Sequence, residues 1–99
     1  MARFDVYAQP GSNVLLLDCQ ATLLSVLGTR FVVPLLPPSG MRPAFARLNP
    51  IFVVNGQKVE MITQGAASVA TKALGLPVSS LAAEQSAIMN ALDMLLTGY

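Results

Sequence analysis

The chain has 99 residues, six Lys plus Arg against five Asp plus Glu, and a formal charge of +1, which describes one small domain without a strong electrostatic field. Charged residues make up only 11 % of it, where soluble domains carry about 25 %. A two-domain enzyme and a binder drawn to nucleic acid by bulk charge are both excluded, and an unusually apolar chain must find cover for its excess surface.

A membrane span needs about 18 or more consecutive apolar residues. The longest charge-free run here, residues 6–17, is too short. Met1-Ala2-Arg3-Phe4-Asp5 lacks the apolar run of a signal peptide, so a cytoplasmic protein is expected. Cys19 is the one cysteine and cannot staple a monomer. A chain this small, with neither disulfide nor metal cluster, buries only about two-thirds of its unfolded surface. An obligate homodimer is therefore predicted, with the excess apolar residues of two copies covering one another.

Phe4-Asp5-Val6-Tyr7 alternates and predicts a first strand, ended by Pro10-Gly11-Ser12-Asn13. Val14 to Cys19 predicts a second, more deeply buried strand. Thr29 to Leu36, after Gly28, predicts a third, whose Pro34 suits an edge or a bulge. Pro37-Pro38-Ser39-Gly40 with Arg42-Pro43 reads as an irregular loop. Ile51 to Val54 and Lys58 to Ile62 flank Asn55-Gly56, whose two residues tolerate positive φ, and predict a hairpin with a type I′ turn. Five short strands at close spacing read as a small antiparallel barrel or sandwich. From Leu81 to Leu96, Ile88, Met89, Leu92, Leu95 and Leu96 recur on one helical face, with Glu84 near the first turn and Gly98 at the end.

The chemistry on offer is sparse. With no His, the commonest general base and metal ligand are both missing, and no metal or cofactor is expected. No spaced carboxylate pair and no phosphate-cradling glycine loop occurs. Cys19, inside an apolar strand, reads as a buried structural thiol. Arg30 reads as a partner for Asp18, with a substrate as its alternative. Arg42 and Arg47 read as solvated charges beside the loop, or as a phosphate site. Tyr99 is either a frayed end or an aromatic anchor.

Phe4-Asp5-Val6-Tyr7, Leu17-Asp18-Cys19-Gln20 with Leu23-Leu24, and Gly28-Thr29-Arg30-Phe31-Val32-Val33-Pro34-Leu35 stand in a specific order. Leu48-Asn49-Pro50, Met61-Ile62-Thr63, Ala67-Ser68-Val69 and Ile88-Met89-Asn90-Ala91-Leu92 follow them. Together these resemble the CcdB family of plasmid and chromosomal toxins, over nearly the whole chain apart from the loop around Pro37 to Arg47. The resemblance implies one mainly β domain over residues 1–99, a homodimeric SH3-like antiparallel barrel with a C-terminal helix, related in fold to the MazF and Kid ribonuclease toxins. It implies a toxin that is not an enzyme. Such proteins enter the cleft of the DNA gyrase A subunit dimer and trap the gyrase–DNA cleavage complex. A partly disordered cognate antitoxin removes them, and the pair together represses the shared operon on operator DNA.

In that family the gyrase-binding surface lies at the dimer axis, where the helix ends present Trp-Gly-Ile. Here the same positions read Thr97-Gly98-Tyr99, and Leu23, Leu24, Asp93 and Leu96 fall at other positions of the surface. A buried Trp is a strong anchor, and Thr offers far less contact area. Two alternatives stay open: a CcdB-like dimer that has lost or changed its gyrase target, kept as an interaction module, and a MazF-type endoribonuclease. Arg30 with Asp18 or Glu60 is the pairing that the second would have to use.

Overall fold

The computed structural model describes residues 2–38 and 46–98. Their strands are β1 Asp5–Ala8, β2 Leu15–Asp18, β3 Thr29–Leu36, β4 Ile51–Val54, β5 Gln57–Met61, β6 Ala67–Ala70 and β7 Ser79–Ser80. All pair antiparallel in the order β4-β5-β3-β2-β1-β7, with β6 also alongside β3. The sheet curls until it nearly closes. At the β4–β5 turn, Asn55 Nδ2 donates to the Val78 C=O at 3.3 Å, which brings one edge of the sheet up to β7 at the other. Asn55 and Gly56 have φ of 51° and 82°, the paired positive values of the expected type I′ turn.

Strand alternation sorts side chains onto two faces. Val6, Leu17 and Val33 lie opposite one another across β1, β2 and β3, all fully buried, and Phe52 faces Val59 across the hairpin. The helix α1, Gln85–Thr97, adds Ile88, Ala91 and Leu92 to this core. Burying side chains such as Ile88 and Leu92 is worth about 1.5–3 kcal/mol each. The neighbouring residues Tyr7, Leu16 and Val32 point the other way and meet Val69 and Leu74 in a second, smaller cluster.

Four expectations are corrected. Among the described residues there are seven strands, not five. The sequence Ala-Ser-Val-Ala of β6 carries no apolar alternation and pairs because β3 offers Thr29–Val32 as a template, while β7 is two residues docked on β1. Pro34 lies inside a central strand, neither at an edge nor at a bulge. On the flank away from β2, β3 pairs with β6 up to Val32 and with β5 from Leu35, so the missing N–H falls in the changeover. There Pro34 still accepts a hydrogen bond from the Ile62 N–H at 2.9 Å.

The helix begins at Gln85, after a 3₁₀ turn over Ala82–Glu84, and the Glu84 side chain makes no capping bond. Its expected apolar face is also divided. Ile88 and Leu92 are buried, whereas Leu95 and Leu96 in the last turn are exposed. Gly98 ends it as expected, with φ of 82° and its N–H donating to the Met94 C=O at 2.9 Å. Pro37 and Pro38 have no regular structure, and the rest of the Pro-rich segment, residues 39–45 with Arg42, lies outside the described residues.

Candidate functional site

Between β2 and β3 the chain makes a 3₁₀ turn over Thr22–Leu24 and then runs through Val26 and Leu27 to Gly28. Four apolar residues in this short stretch would ordinarily be core. Instead Leu23 is 88 % exposed and Val26 89 %, with Leu24 and Leu27 about half so. Polar contacts hold them there. Gln20 Nε2 donates to the carbonyls of Leu24 and Thr29, both at 3.1 Å, and its Oε1 accepts the Phe31 N–H at 2.9 Å. On the far side, the Thr71 hydroxyl donates to the Leu27 C=O at 3.2 Å and the Thr71 N–H to the Gly28 C=O at 2.9 Å. An exposed apolar patch on a pinned turn is the mark of an interaction surface.

The helix end supplies the second part. Met89, Asp93 and Leu96 follow one another at i, i+4 and i+7 along one stripe of α1. Asp93, Thr97 and Gly98 are exposed, and Leu96 is 76 % exposed. The Thr97 hydroxyl donates back to the Asp93 C=O at 2.6 Å, which folds this short side chain against its own helix. The two parts are joined through Arg3, whose N–H donates to Thr22 Oγ1 at 3.2 Å and whose Nη2 lies 3.1 Å from Met89 Sδ. Of the expected site residues, Leu23 and Leu24 therefore stand on one segment and Asp93, Leu96, Thr97 and Gly98 on another. Tyr99 lies outside the described residues. Val26, Leu27, Gln20 and Arg3 show no such role in the sequence alone. Their signal, exposure in one case and reach to distant partners in the other, exists only in three dimensions.

Arg30, Asp18 and Cys19 are structural. Arg30 and Asp18 form an ion pair in which both side chains are 0 % exposed. Arg30 donates from Nε at 2.9 Å and Nη2 at 2.6 Å to the same Asp18 oxygen, Oδ2, while Oδ1 accepts the Gln20 N–H at 3.1 Å. Arg30 Nη1 and Tyr7 Oη are buried with no protein partner among the described residues. Burial pushes the Tyr7 phenol above its ordinary value, with Asp5 and Asp18 adding to the rise and Arg30 opposing it. Burial also pushes the Cys19 thiol up to about 12, as expected of a structural rather than a reactive cysteine. Arg47 is exposed.

Two of the segments that carry the family resemblance lock each other in place. Asn49 Nδ2 donates to the Met61 C=O at 3.0 Å and to Gln64 Oε1 at 2.7 Å, and the buried Thr63 hydroxyl donates to the Leu48 C=O. A cavity of about 310 Å³ opens at the other end of β2 and β3, lined by Leu15, Leu35, Val59 and Lys58 among others. No group of three His, Cys, Asp or Glu residues able to hold a metal occurs among the described residues. No helix there is long and apolar enough to cross a membrane.

A search of curated proteins finds no significant match. The model of the CcdB protein family matches residues 3–98. That span takes in both segments of the exposed face, the buried Asp18–Arg30 pair and the Asn49–Thr63 lock, and the chain belongs to the CcdB family, which implies the toxin of a toxin–antitoxin system.

Proposed function

We propose that the protein acts as a dimeric toxin that inhibits DNA gyrase by protein–protein contact. It would enter the cleft of the gyrase A subunit dimer and trap the enzyme on cleaved DNA. The observation that supports this reading is the pinned apolar surface. Leu23 and Leu96, 88 % and 76 % exposed, project from two segments tied to each other, on positions that the resemblance assigns to gyrase binding. Two copies meeting at their helix ends would join these surfaces into one patch, and the exposed Val26, Leu27, Leu76 and Leu95 give the second copy apolar area to cover. A cognate antitoxin completes the system, and operator DNA is bound by the toxin–antitoxin complex. The reading is non-enzymatic. Arg30, which a MazF-type ribonuclease would have to use with Asp18 or Glu60, is fully buried and paired with Asp18.

The test is a supercoiling assay with purified protein, together with binding to the gyrase A dimerisation domain and sedimentation of the protein alone. Inhibition with accumulation of cleaved DNA, by a dimer, supports the reading. A folded protein that neither binds the domain nor inhibits supercoiling refutes the target. A monomer refutes the dimer.

One observation favours a second reading, in which the dimer has changed its target. The Thr97 hydroxyl is engaged by Asp93, so the position that carries the family's Trp presents no anchor. Under this reading Thr97→Trp creates gyrase affinity that the native chain lacks. Under the first it adds little to binding that already exists.

A further inference from the structure

Arg3 is bound at four points. Its N–H donates to Thr22 Oγ1 at 3.2 Å, at the first residue of the turn that carries Leu23 and Leu24. Its Nη2 lies 3.1 Å from Met89 Sδ, one helical turn before Asp93 on the stripe that ends at Leu96. Its Nε donates to the Cys19 C=O at 3.4 Å, and its guanidinium carbon sits 4.8 Å from the centroid of the Phe4 ring.

The platform beneath it is stiff. Phe4 holds a φ of 71°, uncommon for a residue with a side chain. That conformation is set from both sides, by the Phe4 N–H donating to the Asp18 C=O at 2.6 Å and the Phe4 C=O accepting the Leu81 N–H at 2.8 Å. Among the described residues no hydrogen bond joins the Thr22–Leu24 turn directly to α1. The link runs through Arg3.

We infer that Arg3 is a positioning residue, fixing the Leu23–Leu24 turn relative to the Asp93–Leu96 stripe so that two segments distant in sequence form one recognition face. This rests on the reading that both segments contact the same partner. Arg3 touches the partner nowhere in this scheme. Its backbone N–H holds Thr22 while its side chain holds Met89 and the Cys19 C=O, and a planar fork with several donors suits those two side-chain contacts better than the point charge of Lys.

The experiment uses the whole 99-residue chain with Arg3→Met, Arg3→Lys, Met89→Leu and Thr22→Val, read by methyl NMR, thermal melting and affinity for the gyrase A dimerisation domain. Arg3→Met keeps the backbone N–H that holds Thr22 and cuts the side-chain contacts to Met89 and the Cys19 C=O, so the Leu96 methyls are expected to shift and gain motion while those of Leu23, Leu24, Val6, Leu35 and Ile88 stay in place. The affinity is expected to fall about ten-fold or more. Arg3→Lys, which keeps the charge and loses the fork, stays impaired. Met89→Leu reproduces the Leu96 shift, and Thr22→Val, which removes the acceptor of the Arg3 N–H, moves Leu23 and Leu24 and leaves Leu96 where it was.

Three results overturn the inference: Leu96 methyls unmoved in Arg3→Met or Leu23 and Leu24 methyls unmoved in Thr22→Val, core methyls that move as much as these with a matching loss of Tm, or moved methyls with unchanged affinity in a protein that binds. If the wild-type protein does not bind the gyrase domain at all, the proposed target falls, and the methyl pattern still decides whether Arg3 positions the two segments.

Discussion

Replacing Asp18 tests the energetics of the fold most sharply. Arg30 is entirely buried and its two described charge-assisted hydrogen bonds both end on Asp18 Oδ2, so Asp18 is the counter-charge that makes burial of the guanidinium tolerable. Removing one member of a buried pair costs about 3–5 kcal/mol, because the survivor is left charged and desolvated. Asp18→Asn, which keeps an amide oxygen for Arg30, belongs at the lower end, and Asp18→Leu at the upper. For 99 residues the whole stability is about 5–15 kcal/mol, so either loss is a large share of it. In urea, with a slope of about 1–3 kcal/mol per molar, Asp18→Asn lowers the midpoint by about 1–3 M. Asp18→Leu combined with Arg30→Met removes the charge along with its partner and returns stability to near the wild-type value or above it. A single-variant loss below about 1 kcal/mol, or a double variant as unstable as the single, refutes the reasoning.

Alkaline pH destabilises the protein through Cys19. Burial, with Asp18 adding and Arg3 opposing, raises its thiol from 9.0 to about 12, so above pH 9 the folded chain keeps a proton that the unfolded chain has released. This contribution is intact below pH 9 and declines by about 1.4 kcal/mol per pH unit above it, and urea titrations at successive pH values lose that slope in Cys19→Ala. The raised Tyr7 phenol adds loss of the same sign above its ordinary 10.0. At Gly65 a Cβ would stand 3.1 Å from Pro34 Cγ and 3.4 Å from Ile62 Cγ2, so Gly65→Ala costs about 1–3 kcal/mol by crowding a ring that has little room to yield, measured as a fall in Tm. Gly98→Ala meets no neighbour within 4 Å and pays only for its φ of 82°, so it costs about 1–2 kcal/mol and frays the last turn of α1, seen as faster amide exchange there.

What could be read from the sequence was chemistry that acts over a few residues. Asn55-Gly56 needs no partner to favour positive φ, Gly98 ends a helix by itself, and the pairing of Arg30 with Asp18 follows from the cost of burying either alone. What escaped depends on what lies alongside. The Ala-Ser-Val-Ala of β6 is a strand only because β3 is next to it, and Pro34 is admitted to a central strand only because β3 changes partners there. The site divides in the same way. Leu23, Leu24, Asp93 and Leu96 were reached through family resemblance, since periodicity assigned Leu96 to the core-facing stripe and says nothing about Leu23. The segments that carry them are held by Gln20, which bonds the turn locally, and by Thr71 and Arg3, which reach groups far along the chain.

The distribution of polar contacts explains how so apolar a chain can hold part of its greasy surface in water. Left to itself, the stretch from Leu23 to Leu27 would collapse onto the nearest apolar surface, since full burial of each such side chain gains about 1.5–3 kcal/mol. Collapse would break the bonds that Gln20 and Thr71 make to the carbonyls of Leu24, Thr29, Leu27 and Gly28. A buried carbonyl stripped of its partner costs about 1–3 kcal/mol, so the hydrogen bonds and the burial term are of similar size and the turn can stand open. A turn held this way is ordered before its partner arrives, which spares about 0.5–1.5 kcal/mol of ordering for each flexible side chain it would otherwise have to immobilise. Gln20 therefore serves recognition without touching a partner. Its isosteric change to Glu keeps the acceptor for the Phe31 N–H but removes both donors to the turn, and it separates the ordering of Leu23 and Leu24 from the stability of the barrel behind them.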